Sequence, residues 1–123
     1  MERFEEFTCD GKSFMYIDFS GLKADEDFIA ATEKIEPIVA KYPKHSLYTI
    51  TNIANTRFDT RSKEIVAEYM EKNKPHVKYG AVIGIDGIKK IMLNTIFQMS
   101  GRKNLVFAFT KEKAIELLLK HEQ

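Results

Sequence analysis

The stretch YGAVIGIDGIKK, Tyr79 to Lys90, decides how the chain is read. Tyr79 through Ile85 carries no charge and is rich in β-branched residues, the pattern of a strand buried on both faces, as in a parallel sheet. Gly84 and Gly87 mark a turn around Asp86. Beyond it, Ile88, Ile91, Met92, Thr95, Ile96 and Met99 recur at helical spacing and predict a helix over 87–100. Strand, glycine turn and helix is also how phosphate cradles are built. A phosphate loop needs G-x-x-x-x-G-K-[ST] and a dinucleotide loop needs G-x-G-x-x-G; neither spacing occurs here. Asp86 stands where a phosphate would sit, and a carboxylate there satisfies the free amides and the positive helix end. The stretch therefore reads as a strand, a capped turn and a helix start.

The same alternation extends in both directions. Upstream, Ile65, Val66, Tyr69 and Met70 give a helix over 60–73, with Asp59 as its N-cap and Pro75 near its end. LYTITNI, 47–53, is strand-like. Phe28, Ile29, Thr32, Ile35, Val39 and Tyr42 form the stripe of a helix over 25–42. Asp25 is its expected cap, and Pro37 is expected to kink or divide it, because proline has no N–H to donate. Residues 3–9 and 13–19 flank CDGK, where Asp10-Gly11 signals a hairpin turn. In FMYIDF, Phe14, Tyr16 and Asp18 share one face and Met15, Ile17 and Phe19 the other, which suggests a strand covered on both sides. Downstream, NLVFAF at 104–109 is another buried strand. Thr110 caps a last helix over 111–121 that buries Ala114, Leu117 and Leu118. The order β-β-α-β-α-β-α-β-α predicts an α/β domain spanning 1–123, with a mixed, largely parallel sheet and right-handed crossovers.

Composition narrows the function classes. At 123 residues the length suits one domain with one core. A formal charge of +1 gives no global field toward nucleic acid or an acidic membrane, so no nucleic-acid partner is expected. Cys9 is the only cysteine, so no internal disulfide forms, and a reduced, cytoplasmic setting is expected. MERFEEF places glutamates where a signal peptide needs an apolar run, and the apolar run near Ala81–Ile85 is too short to span a bilayer.

Several polar stretches could carry function. In open α/β sheets, ligands gather at the carboxyl ends of the strands, here near Ser20-Gly21, Asn52–Thr60, Asp86-Gly87 and Thr110-Lys111. NTRFDTRSKE, 55–64, sets Thr56, Thr60 and Ser62 hydroxyls beside Arg57 and Arg61 at a helix start, where a phosphoryl group would be stabilised. Asn55, Arg57, Asp86 and Arg102 are candidate anion or ligand contacts. On the helix over 87–100, Leu93 and Phe97 lie outside the core stripe beside Lys89 and Lys90, an apolar pair rimmed by lysines that suggests a homodimer contact. His45, His76 and His121 lack ligand spacing, so no metal is expected. Cys9 has no histidine beside it, and no acid–base pair can be assembled from spacing, so no catalytic residue or cofactor is assigned. Asp18, Asp59 and Asp86 are the carboxylates that the fold could bring together.

The run VKYGAVIGIDGIKKIMLNTIFQMSGRKNLVFAFTKEKAIELL, with YIDFSGL and TNIANTRFD before it, resembles the small bacterial STAS/CRAL-TRIO-like proteins, also called SpoIIAA-like. The resemblance covers nearly the whole chain and is clearest from Val77 to Leu118. It implies the STAS fold, with helices packed mainly on one side of the mixed sheet, and a non-catalytic regulatory or scaffold role. In anti-sigma-factor antagonists of that kind a serine at the start of the second helix is phosphorylated. Here FDTRS, Phe58 to Ser62, is the comparable stretch, which makes Thr60 and Ser62 the candidate phospho-sites. Arg61 and Ser62 stand where that motif has a second serine and a glycine. The related CRAL-TRIO lobe implies an alternative, a small ligand or lipid held in an apolar pocket between helices and sheet. The expected partners are therefore a second copy, a regulatory protein or a small apolar ligand.

Overall fold

The computed structural model describes residues 3–86, 95–96, 98–99 and 104–120. Within them the chain forms a five-stranded mixed sheet and three helices. The strands are β1 (Phe4–Cys9), β2 (Lys12–Asp18), β3 (Leu47–Asn52), β4 (Val77–Ile83) and β5 (Leu105–Phe107). The helices are α1 (Asp25–Val39), α2 (Thr60–Asn73) and α3 (Lys111–Lys120). Thr95, Ile96, Gln98 and Met99 are also helical.

The strands lie in chain order, β1-β2-β3-β4-β5, with β1 antiparallel to β2 and every later pair parallel. The opening hairpin turns through Asp10 and Gly11, at φ 51° and 75°. Two consecutive positive φ values are what a tight hairpin turn needs, and Asp-Gly supplies them at little steric cost. Because each parallel strand adds on the same side of the last, crossovers of one hand all fall on one face of the sheet. α1 and α2 obey this: Phe28, Ile35, Val39, Val66 and Tyr69 join Met15, Ile17 and Phe19 in one core, and Ile96 belongs to it too. α3 follows the last strand and crosses over nothing, so it is free to cover the opposite face. There Ala114 and Leu118 close on Phe14, Tyr48, Ile50, Ala81 and Ile83. The double cover explains why β2 buries Phe14, Met15 and Ile17 alike.

Three local expectations are corrected. Pro37 does not divide α1; the helix runs through it and stops two residues later, at Val39. The missing N–H costs little there, because proline removes only one bond near the last turn. The N-cap of α1 is Ala24, whose side chain makes no capping bond, and Asp25 is already the first helical residue. β4 is shifted toward its start: it takes in Val77, which pairs with Leu47, and ends at Ile83 because Gly84 turns to φ 80°. Thr110 does cap α3, accepting from the Lys113 amide at 3.0 Å.

Candidate functional site

The carboxyl ends of β2, β3 and β4 are tied into one edge. The Phe19 amide donates to Asn52 O, Gly21 to Ala54 O, Ile53 to Ile83 O and Arg57 to Leu22 O, at 2.8–3.0 Å. Asn52 is the hub: its Nδ2 donates to the Tyr16 hydroxyl at 3.0 Å, and its Oδ1 accepts from the Ala54 amide at 2.9 Å. Gly84 lies against this loop so closely that a Cβ would sit 2.6 Å from both Ala54 N and Asn52 Oδ1. Arg3 closes the edge from the N-terminal side, donating from Nη1 to the carbonyls of Asp18 and Ser20 at 3.1 and 3.0 Å. Asp18 accepts from the Ser20 amide at 2.9 Å.

α2 starts from this edge with a full capping box. Asp59 accepts from the Ser62 amide at 2.8 Å, and the Ser62 hydroxyl accepts from the Asp59 amide at 2.7 Å. The two candidate phospho-sites therefore differ, and the Thr56 hydroxyl is buried, donating to Ile53 O at 2.7 Å. Ser62 is fully buried and spent on the cap, while Thr60 is exposed at the first helical position. Arg57 and Arg61 are exposed on either side of it, and Asn55, at φ 59°, is exposed two residues before Arg57. Arg61 spends part of its charge on Glu64 at 3.6 Å. Asp86 is exposed on the neighbouring connection after β4. Lys89, Lys90, Leu93, Phe97 and Arg102 lie outside the described residues.

The carboxylate that meets Asp59 is Asp25, which spacing alone did not point to. Two helices that begin at the same edge of adjacent parallel strands bring their first residues together, and that topology was the available signal. One Asp25 carboxyl oxygen is shut off from solvent without a hydrogen bond, while the side chain reaches Asp59. Burial, followed by the Asp59 charge and hydrogen bond, pushes the Asp25 carboxyl above its ordinary value. The Ser62 amide, with the capping hydroxyl, holds Asp59 below its own. The two therefore act in opposite senses on stability. Asp59 contributes stability above the ordinary carboxylate value and loses it as pH falls through its depressed folded value. Asp25 carries a penalty that sets in as pH rises through its raised value. Asp25→Asn is expected to melt above the wild type at neutral pH, with the difference closing as pH falls through the carboxylate range. A pH series of thermal melts checks this, and a variant less stable at neutral pH would refute it.

Three openings accompany the edge. An apolar cavity of about 50 Å³ lies between the sheet and α2, with Ile17, Phe19, Ile53, Phe58 and Val66 in its wall and Thr49 and Asn73 as its polar margin. A shallow cleft of about 340 Å³ runs between Arg3, Gly21, Asp27 and Lys34. Another of about 210 Å³ separates α1 from α2, beside Glu36, Glu68 and Lys72. Lys72 lies 3.8 Å from Glu36 across it and 3.6 Å from Glu68 one turn earlier on α2, pairs of little energetic weight.

Among the described residues no group of three or more His, Cys, Asp or Glu could hold a metal ion, and no helix is long and apolar enough to cross a membrane. The His76 ring is used internally, with Nδ1 at 2.8 Å from Tyr42 O. No protein-family model matches this chain, and no curated protein matches it.

Proposed function

We propose that the chain is a non-catalytic regulatory module of the STAS-like type, whose signal is written at the start of α2. The observation that carries this reading is the contrast at that helix end. Thr60 is exposed between Arg57 and Arg61 at the first position of α2, next to a connection held by main-chain bonds, while Ser62 is buried in the cap. A phosphoryl group on Thr60 would meet two opposing influences. The helix end and the arginines attract it, and the Asp25–Asp59 pair repels it. A dianion added there changes the charge balance of a rigid, exposed surface, which a partner protein can read. Phosphosite mapping of the protein purified from its own cells, beside Thr60→Ala, tests the idea. Phosphate on Thr60 and none on Ser62 is expected; phosphate on Ser62, or on neither, overturns it.

The apolar cavity favours a second reading, a small apolar ligand between α2 and the sheet. At about 50 Å³ it has room for a few atoms, so an acyl chain would have to widen it. Native mass spectrometry of the purified protein would reveal such a passenger.

A further inference from the structure

The opposite edge of the sheet, where the parallel strands begin, is built differently. Lys12 opens β2, Lys41 and Lys44 lie on the connection from α1 to β3, Lys74 follows α2, and Lys78 lies near the start of β4. The pairing register places them on one surface. Ser13 is beside Leu47, and Leu47 is beside Val77, so the three strand starts are neighbours. The loops are also bonded together: the His45 amide donates to Pro75 O at 3.0 Å, and the Ser46 and Leu47 amides to His76 O at 3.2 and 3.1 Å. Lys41, Lys44, Lys74 and Lys78 are exposed, and Lys12 is half-buried. Lys12, Lys74 and Lys78 each have interactions within the protein, Asp10 and Glu71 are exposed close to Lys12 and Lys74 in sequence, and Glu6 accepts a hydrogen bond from the Tyr42 hydroxyl.

Helix dipoles account for only part of this. Cations favour the last turn of a helix and the effect fades beyond it, yet the last turn of α1 has no basic residue. Lys12 is on a hairpin, Lys44 is past the helix, and Lys78 is on a strand. The opposite edge gathers Asp18, Asp25, Asp27, Asp59 and Asp86, interspersed with Arg3, Lys23, Arg57 and Arg61. A chain with a formal charge of only +1 thus concentrates lysine at one end.

We propose that this edge docks the protein on the surface of an anionic lipid bilayer. None of the three openings described above is lined by these lysines, which lie on an open surface of loops and strand starts. Among the described residues it is made of a hairpin turn and short connections, with no helix protruding to enter a nucleic-acid groove. Among the described residues its Lys and Arg cations are all lysine, compact charges suited to a diffuse field, whereas arginine forks read phosphates in pairs. A polybasic surface gains about 1 kcal/mol per lysine near an anionic leaflet, which is roughly fivefold in partitioning. The gain falls off within a Debye length of about 10 Å at 0.1 M salt.

Co-sedimentation with vesicles of phosphatidylcholine alone, and of equimolar phosphatidylcholine and phosphatidylglycerol, tests the proposal. Binding is expected only to the anionic vesicles, and it should weaken as salt is raised. The combined variant Lys44→Glu, Lys74→Glu and Lys78→Glu should lose at least about a hundredfold, at roughly fivefold per lysine. A control with the same net charge, Lys23→Glu, Lys63→Glu and Lys113→Glu, should lose far less. If the first variant fails to fold, the matching Lys→Gln triple takes its place. Equal losses in the two triples, no binding by the wild type, or tighter binding to duplex DNA than to the vesicles would each overturn the proposal.

Discussion

Gly84→Ala is expected to lower the melting temperature by roughly 10–15 °C, a loss of about 3 kcal/mol for a domain of this size. Two effects combine. Gly84 is held at φ 80°, where an L side chain costs about 1–2 kcal/mol. Its new Cβ would also lie 2.6 Å from Ala54 N and from Asn52 Oδ1. The first is backbone, and the second is locked by the Tyr16 hydroxyl and the Ala54 amide, so neither can retreat cheaply. Overpacking of this kind costs about 1–3 kcal/mol. Gly21 is the internal control: it has φ 77°, but a Cβ there meets nothing within 4 Å. Gly21→Ala should carry the backbone cost alone. Thermal melts of the two variants side by side separate strain from collision, and equal losses would show that the approach of Gly84 to Ala54 is not tight.

That comparison also shows what the sequence could and could not reveal. Gly84 was readable as a turn residue, because glycine punctuates an apolar strand. Its collision partners were not, since Asn52 and Ala54 are thirty residues away and meet it only across the β3–β4 pairing. The hairpin at Asp10-Gly11, the double cover of β2 and the Asp59 cap were legible, because each is fixed by a local pattern of a few residues. At Pro37 a local rule allows a division of the helix, but the helix continues through it to Val39. The Asp25–Asp59 contact needs the order of strands as well as the pattern, and the lysine edge needs both the order and the register. Lys12, Lys44 and Lys78 are unremarkable in the sequence, and only the pairing of three strand starts makes them neighbours. The one-sided placement of α1 and α2 follows from the same sequential order. Among the described strands the order never reverses from β2 to β5, so they form no switch point of the kind where α/β sheets usually hold ligands. That shifts weight from an enclosed site to exposed edges.

The exposed edge at the start of α2 must then owe its rigidity to what lies beneath it, and Phe28 is the residue that tests this. It is fully buried, its ring 6.5 Å from Phe19 at 76° and 5.3 Å from Phe58 at 33°. Phe19 belongs to the connection after β2, and Phe58 immediately precedes the Asp59 cap, so one side chain from α1 supports both loops of the edge. Phe28→Ala should cost about 3–5 kcal/mol, from lost transfer energy and the cavity left behind. That is a large share of a total stability of about 5–15 kcal/mol. Phe28→Leu keeps much of the volume and should cost about 1.5 kcal/mol or less. Denaturant unfolding gives both numbers. Amide exchange tells whether the loss is local: the Ser62 and Lys63 amides, which bond to Asp59, should lose protection in Phe28→Ala beyond what global destabilisation accounts for. If those amides follow the global loss and nothing more, the capping box stands on its own hydrogen bonds, and the aromatic cluster contributes to stability without shaping the surface on which Thr60 is presented.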